Sequence, residues 1–435
     1  MPWGITTPSA PKKRPPRRSK GVKTAGFAGE VTTTQQPELT LGFVGLGQAT
    51  NKLLQRKHEI ETLAYRIVAA ADPRQHALAA FAAEFGGETY DDIADLCERS
   101  AVDVVYIATP PEFHRRHVEI AARCGKHMIV EKPLALTLDD CQAMIEAADK
   151  HGVRLLAGHT HSFDAPIRKM REVIKSGEIG ALVMVNTWNY NEFNHRSRPS
   201  KELETTRGPI LNQGPHQVDV VRQIGGGLVA SVRASVIQDT LSEREGGYIC
   251  MLLFENGVPA TLVYDGRSLF DTAELFWWVS EGGLDRDPDL NWKRRRDYQE
   301  KHALGPEGME KALEQAKEGG RYGGQGAGAH GQEGPPPYQP FFGLTVVSCD
   351  RGTMRQSRDG IIIYGDGGPK EIPLGRELRG RAAELDELYH AIVEDRPVAH
   401  DGRWAMATLE VCLAIMESSE NGKEITLSRQ VPTND

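Results

Sequence analysis

The chain has 435 residues, enough for two domains with sizeable cores, and its 39% hydrophobic and 26% charged content suits a soluble globular protein. A formal net charge of −8 gives the body no overall attraction for nucleic acid, and no apolar run approaches the roughly 18 residues of a membrane span. The six cysteines (Cys97, Cys124, Cys141, Cys250, Cys349, Cys412) form no C-x-x-C pair, which argues against a zinc ribbon or a disulfide framework and for a reducing, cytoplasmic setting.

Residues 1–38 contain the basic, proline-rich P-K-K-R-P-P-R-R-S-K (Pro11 to Lys20). No apolar segment of the kind a twin-arginine signal needs follows Arg17-Arg18, so the expectation is a disordered basic tail. From Leu39 the texture changes. L-T-L-G-F-V-G-L-G reads as a buried strand entering a glycine turn. R-I-V-A-A-A-D (Arg66 to Asp72) reads as a second strand, followed by an alanine-rich helix closed by Gly86. Apolar runs at 103–108, 127–131 and 153–158 repeat the pattern with helical segments between them, and Thr137 with Asp140 forms a capping box. This alternation predicts a doubly wound parallel sheet over residues 39–160.

Residues 161–435 read differently. A helix from Ala165 to Lys175 precedes alternating strands at 181–190, 248–254, 260–264 and 273–279. They predict an α/β domain with a large open, mainly antiparallel sheet. A polar tract at about 283–340, containing K-R-R-R, a glycine-rich run and P-P-P, is expected to be a mobile loop inserted into that sheet. A helix is expected from Arg381 to Val393.

Several stretches carry chemistry. Gly45-Leu46-Gly47-Gln48-Ala49-Thr50 ends the first strand as a dinucleotide-binding Rossmann turn would, the glycines letting backbone N–H groups approach a pyrophosphate. Thr50 replaces the third glycine, which implies slightly looser packing there. Asp72, at the end of the second strand, is placed to accept from ribose hydroxyls and repel a 2′-phosphate, favouring NAD over NADP. Arg74 tempers that preference, because it could meet a phosphate. Thr109, Pro110 and His114 in T-P-P-E-F-H, and Glu131 and Lys132 in E-K-P, each follow a parallel strand and so border the cofactor cleft. His114, His117, His159 and His161 raise the question of a metal; no cysteine–carboxylate set accompanies them, so no metal is expected. N-Q-G-P-H-Q-V-D places His216 and Asp219 on one helix face, where Asp219 could fix the tautomer of His216.

The order G-x-G, A-D-P-R, A-T-P-P-x-F-H, E-K-P-L-A, G-P-H-x-V-D resembles the Gfo/Idh/MocA oxidoreductases, convincingly from Leu39 to Gly227. Within them, G-H-T-H-S-F-D, N-Q-G-P-H-Q-V-D and V-S-C-D-R-G are most similar to phthalate 4,5-cis-dihydrodiol dehydrogenases. The resemblance implies NAD-dependent oxidation of a secondary alcohol or cis-diol, with Lys132 and His216 as the catalytic pair. Many members carry aspartate where this chain has Asn212. A dicarboxylate substrate needs cations, for which His161, His195, Arg196, Arg198 and Arg207 are candidates. The expected partners are a small-molecule substrate and further copies of the chain, as a dimer or tetramer. Rival readings are a sugar, inositol or glycoside dehydrogenase, an NAD-dependent glycosidase, and a catalytically silent NAD-binding regulator.

Overall fold

The computed structural model describes residues 37–324, 335–376, 378 and 380–434; the basic tail expected over 1–38 lies almost wholly outside the described residues. The first sheet contains β1 (Leu39–Val44), β2 (Tyr65–Ala71), β3 (Glu88–Tyr90), β4 (Val104–Ile107), β5 (His127–Glu131) and β6 (Leu155–Gly158). They lie in the order β3-β2-β1-β4-β5-β6, and all pairs are parallel. Successive side chains alternate between two cores. Val105, Ile107, Met128 and Val130 join one, while Val104, Tyr106, Ile129 and Leu156 join the other. Helices cover both faces, so the strands must be apolar throughout. Gly86 and Gly152 close helices in the left-handed conformation, and the Thr137 hydroxyl accepts from the Asp140 N–H at 3.1 Å, as their positions predict.

The second sheet has nine strands: β7 (Leu182–Tyr190), β8 (Val229–Asp239), β9 (Arg244–Phe254), β10 (Pro259–Asp265), β11 (Leu344–Cys349), β12 (Gly352–Gln356), β13 (Gly360–Gly365), β14 (Gly368–Pro373) and β15 (Ile425–Thr426). Its order is β14-β13-β12-β11-β7-β10-β9-β8-β15, antiparallel except for β7 with β10. The inner face packs on helices Gly214–Gly225 and Gly402–Asn421. On the outer face Ile249, Val263, Trp188 and Leu344 are register neighbours across four strands. Ile249 is 53% exposed and Trp188 44%.

Two expectations are corrected. Residues 273–279 are not a strand: Thr272–Phe276 is a 3-10 turn. Asp271 caps it by accepting from the Ala273 N–H at 2.9 Å, and Trp277 and Trp278 then take positive φ, which no strand allows. The tract at 283–340 holds helices Leu290–His302 and Gly305–Gly319, while its residues 325–334 lie outside the described ones. The first helix is built mainly from Lys, Arg and Gln, good helix formers that leave no apolar stripe to read, whereas the second places Met309, Ala312, Leu313 and Ala316 at helical spacing. After the second helix, Tyr322 packs against Phe81 and donates its hydroxyl to Glu84 at 2.6 Å.

The C-terminal part also returns to the first sheet. Helix Gly380–Val393 supplies Leu385, Leu388, Tyr389 and Ala391 to the core beneath β1 and β4. It thereby carries Arg381 to the carboxyl end of β5.

Candidate active site

Between β2 and β4 the chain order reverses at β1, and ligands of such sheets bind beyond the strand ends there. The turn after β1 is shaped for close approach. Gly45 has φ +90°, and a Cβ on it would sit 2.9 Å from the Ala108 carbonyl oxygen, so only glycine fits. Thr50 is fully buried and donates its hydroxyl to the Gly45 carbonyl at 2.6 Å. The looser packing expected at the missing third glycine is therefore not found. Gly47, Gln48 and Ala49 line a cavity of about 1550 Å³, together with Thr109, Pro110, Glu131 and Lys132.

Asp72 and Arg74 stand behind that wall. One Asp72 oxygen accepts from the Leu46 N–H at 2.7 Å, and the other from the Arg74 N–H and Nε, both at 2.9 Å. Arg74 also donates to the Leu46 carbonyl at 2.7 Å and to Glu318 at 3.1 Å. The carboxylate expected to greet a ribose thus braces the glycine turn itself. His114 is buried, with its ring nitrogens 3.0 and 2.9 Å from the Leu134 and Thr109 carbonyl oxygens. It ties the two strand-end turns together and does not line the cavity.

The chemical centre forms where E-K-P meets N-Q-G-P-H. The Lys132 ammonium donates to the Asn212 carbonyl oxygen at 2.7 Å, so the backbone of Asn212 holds the lysine, while its side chain accepts from Gln213 at 2.7 Å. Burial, then the cations Arg198, Arg381 and Lys52, pull Lys132 down to about 8 against the opposing charge of Glu131. Burial works against the Glu131 charge too, yet Arg381, Tyr106 and Lys132 keep its carboxyl below the usual range. Tyr106 donates to it at 2.5 Å and Arg381 at 2.7 Å. His216 also lines the cavity. Its ring packs 4.9 Å from that of His161 and 5.2 Å from Phe342, and its Nδ1 is buried without a hydrogen-bond partner among the described residues. Burial first, then Lys132, His161 and His159, hold its pKa well below the ordinary histidine value, so the imidazole is neutral.

The structure separates the remaining candidates. Asp219 does not reach His216: it accepts from the Trp404 indole N–H at 2.5 Å and lies 3.9 Å from His159. One helical turn rotates its carboxylate toward helix Gly402–Asn421, and the tautomer role expected of it is corrected accordingly. His161 lines the cavity and meets Asp164 at 2.9 Å. Arg196 and Arg198 line it as well. His195 is fully buried against Tyr298 outside the cavity, and Arg207 pairs at the surface with Glu245 at 2.7 Å. The sequence reading missed Lys52 and Arg381, both on the cavity wall. For Lys52 the signal was available, since it stands one turn beyond the glycine turn; Arg381 gave none. Among the described residues no three His, Cys, Asp or Glu side chains gather as a metal-binding set.

The description "Oxidoreductase family, NAD-binding Rossmann fold" matches residues 39–159, and "GFO/IDH/MocA C-terminal domain" matches residues 167–276. The chain is 35% identical to a 1-carboxy-3-chloro-3,4-dihydroxycyclohexa-1,5-diene dehydrogenase from Comamonas testosteroni, over 88% of this chain and 95% of that one. It is 29% identical to an inositol 2-dehydrogenase from Serratia proteamaculans, over 42% of this chain and 53% of that protein. A solved structure of a protein from Bordetella bronchiseptica RB50 superposes with a TM-score of 0.81 at 34% identity, covering 90% of this chain and all of that one (100%).

Proposed function

The chain belongs to the Gfo/Idh/MocA family of NAD-binding oxidoreductases, and from that premise we propose that it oxidises a ring-carboxylated cis-dihydrodiol of the phthalate type to the corresponding catechol. The observation that carries the reading is the meeting of Lys132 with His216 and the Asn212 carbonyl in one cation-lined cavity. The activity of the Comamonas relative, whose name specifies a carboxylated dihydrodiol, supports the substrate class.

Gly45, Gly47, Gln48 and Ala49 would hold the dinucleotide, with Thr109, Pro110 and Glu131 along its edge, and NAD when bound supplies the hydride acceptor. The chain's own residues manage the proton. Lys132, neutral in good part near pH 8, takes the hydroxyl proton at Nζ, where the Asn212 carbonyl fixes the amine. Neutral His216 holds the hydroxyl oxygen by a hydrogen bond. The Glu131–Arg381 pair keeps Glu131 engaged, so that its pull on the lysine is blunted. NAD, the dinucleotide of the matching family description, is the one we assign.

We assign cofactor binding to residues 39–160 and substrate binding to 161–435, joined by the returning helix Gly380–Val393. The apolar outer face of the nine-stranded sheet suits assembly into a dimer or tetramer, and six unpaired cysteines suit a reducing cytoplasm. NADH formation on a panel of carboxylated cis-dihydrodiols, neutral cis-dihydrodiols, inositols and sugars tests the substrate class. Turnover confined to sugars or inositols would overturn it, and sugar release without net NADH would mark a glycosidase.

A further inference from the structure

The cations around the cavity are not equally available. Arg381 is committed to Glu131. Arg196 and Arg286 share Glu192, at 2.9 and 2.5 Å, and each has a second carboxylate, Glu281 at 3.8 Å and Asp271 at 2.5 Å. Arg198 pairs with Glu202, which also meets Lys317 at 2.8 Å. Each of these arginines has a carboxylate of its own. Three lysines on the wall do not: Lys132, bonded to a neutral carbonyl, the exposed Lys201 on helix Ser200–Thr205, and Lys52, the one of the three next to the glycine turn.

Lys52 projects from helix Gln48–Leu54, one turn beyond the glycine turn, and its side chain is exposed to the cavity. It makes no hydrogen bond or ion pair with any described residue. Its charge lies within range of Arg381, Arg196 and Arg198, and enclosure followed by Arg381 brings its pKa down to about 8 against the help of Glu281. Like charges crowded into a half-enclosed wall are mutually unfavourable until an anion enters. A lysine ammonium is a compact charge on a flexible stem, able to follow a carboxylate that a bound arginine cannot reach.

We propose that Lys52 seats a carboxylate of the substrate, with Arg198 beside it, and so sets the enzyme's preference for an anionic ring over a neutral one. This rests on the dihydrodiol reading for the identity of the reacting group but not for the anion seat. Lys52 holds the ring by its carboxylate on the glycine-turn side of the cavity, leaving the hydroxyl-bearing edge toward Lys132 and His216. The other anion that could reach Lys52 is the pyrophosphate of the dinucleotide, and the measurement separates the two.

The test is calorimetric titration of the full-length enzyme, saturated with NADH, with phthalate and with catechol, for the wild type, Lys52→Met and Lys52→Arg. Loss of a hydrogen bond to a charged group weakens binding by roughly tenfold or more. Lys52→Met should lose at least that factor for phthalate, keep its affinity for catechol and NADH, and be rescued in good part by Lys52→Arg. Absence of phthalate binding to the wild type, unchanged phthalate affinity in Lys52→Met, or a parallel loss of NADH affinity would each overturn the proposal, the last by giving Lys52 to the pyrophosphate. If phthalate binds through Lys52 but no cis-dihydrodiol is turned over, the anion seat stands and the reaction assigned above fails. Dihydrodiol turnover indifferent to Lys52 is the reverse case.

Discussion

At the scale of single residues, the proposed mechanism makes the reaction depend on one amine, Lys132, which burial and neighbouring cations bring down to about 8. Removing a group used in proton transfer costs a factor of roughly 10²–10⁴. Lys132→Met and His216→Ala should each lose turnover in that range while NADH affinity, measured by fluorescence titration, changes far less. With Lys132 brought down to about 8 and the base role proposed for its neutral form, kcat/KM for oxidation should rise with pH and level off above about 8. His216 is already neutral, so it should contribute no second limb in this range. Asn212→Asp places a carboxylate next to the carbonyl that holds Lys132. It stabilises the ammonium and should move the limb to higher pH. A pH profile unchanged in Asn212→Asp would take the base role away from Lys132.

At the scale of elements, helix Gly214–Gly225 buries an aspartate and an arginine whose packing against Trp404 the catalytic reading of its sequence concealed. Arg222 is fully buried, donates to the Trp404 carbonyl at 2.9 Å and the Thr408 hydroxyl at 2.7 Å, and stacks 3.8 Å from the Trp404 ring. Asp219 is the first of the neighbours that oppose the lowering of its pKa by burial. Asp219→Ala leaves the buried Trp404 indole N–H without its acceptor and should destabilise the fold by roughly 1–3 kcal/mol in denaturant unfolding. Asp219→Asn, which keeps an acceptor for Trp404, should cost less. Lost turnover at unchanged stability would instead return Asp219 to His216. The same contrast shows what could be read in advance. Strands buried on both faces must be apolar, so β1, β2, β4 and β5 were legible, and E-K-P named its lysine. Which way a side chain turns from a helix depends on the neighbouring helix, so Asp219 and His195 were misplaced. Arg381 arrives 250 residues after the Glu131 it pairs with, a distance no local pattern encodes. Helix Leu290–His302 carries no apolar period to find, while the period of Met309, Ala312, Leu313 and Ala316 in helix Gly305–Gly319 was legible and went unread.

At the scale of the whole molecule, the row Ile249, Val263, Trp188, Leu344 leaves an apolar strip across an otherwise paired sheet. A second copy would bury it. Ile249→Lys should shift sedimentation from an oligomer toward the monomer and make the melting temperature depend on protein concentration more steeply. A wild type that is already monomeric would remove this reading without touching the active site.

The segment from Glu310 to Tyr322 touches both halves of the cleft. Glu310 accepts from the Ser200 N–H at 3.1 Å, and Lys317 pairs with Glu202 at 2.8 Å. Asn51 donates to the Gly320 carbonyl at 3.1 Å, and the Tyr322 N–H donates to the Leu46 carbonyl at 3.2 Å. If the glycine turn holds the dinucleotide as proposed, a strut pinned at both ends beside it would make departure of the reduced coenzyme wait on a local opening rather than on chemistry. Rapid mixing should then show a burst of NADH close to one equivalent per site before a slower steady rate. Tyr322→Ala, which removes the anchor on Phe81 and Glu84, should speed release and flatten the burst, so that the weakened enzyme turns over faster when substrate is saturating.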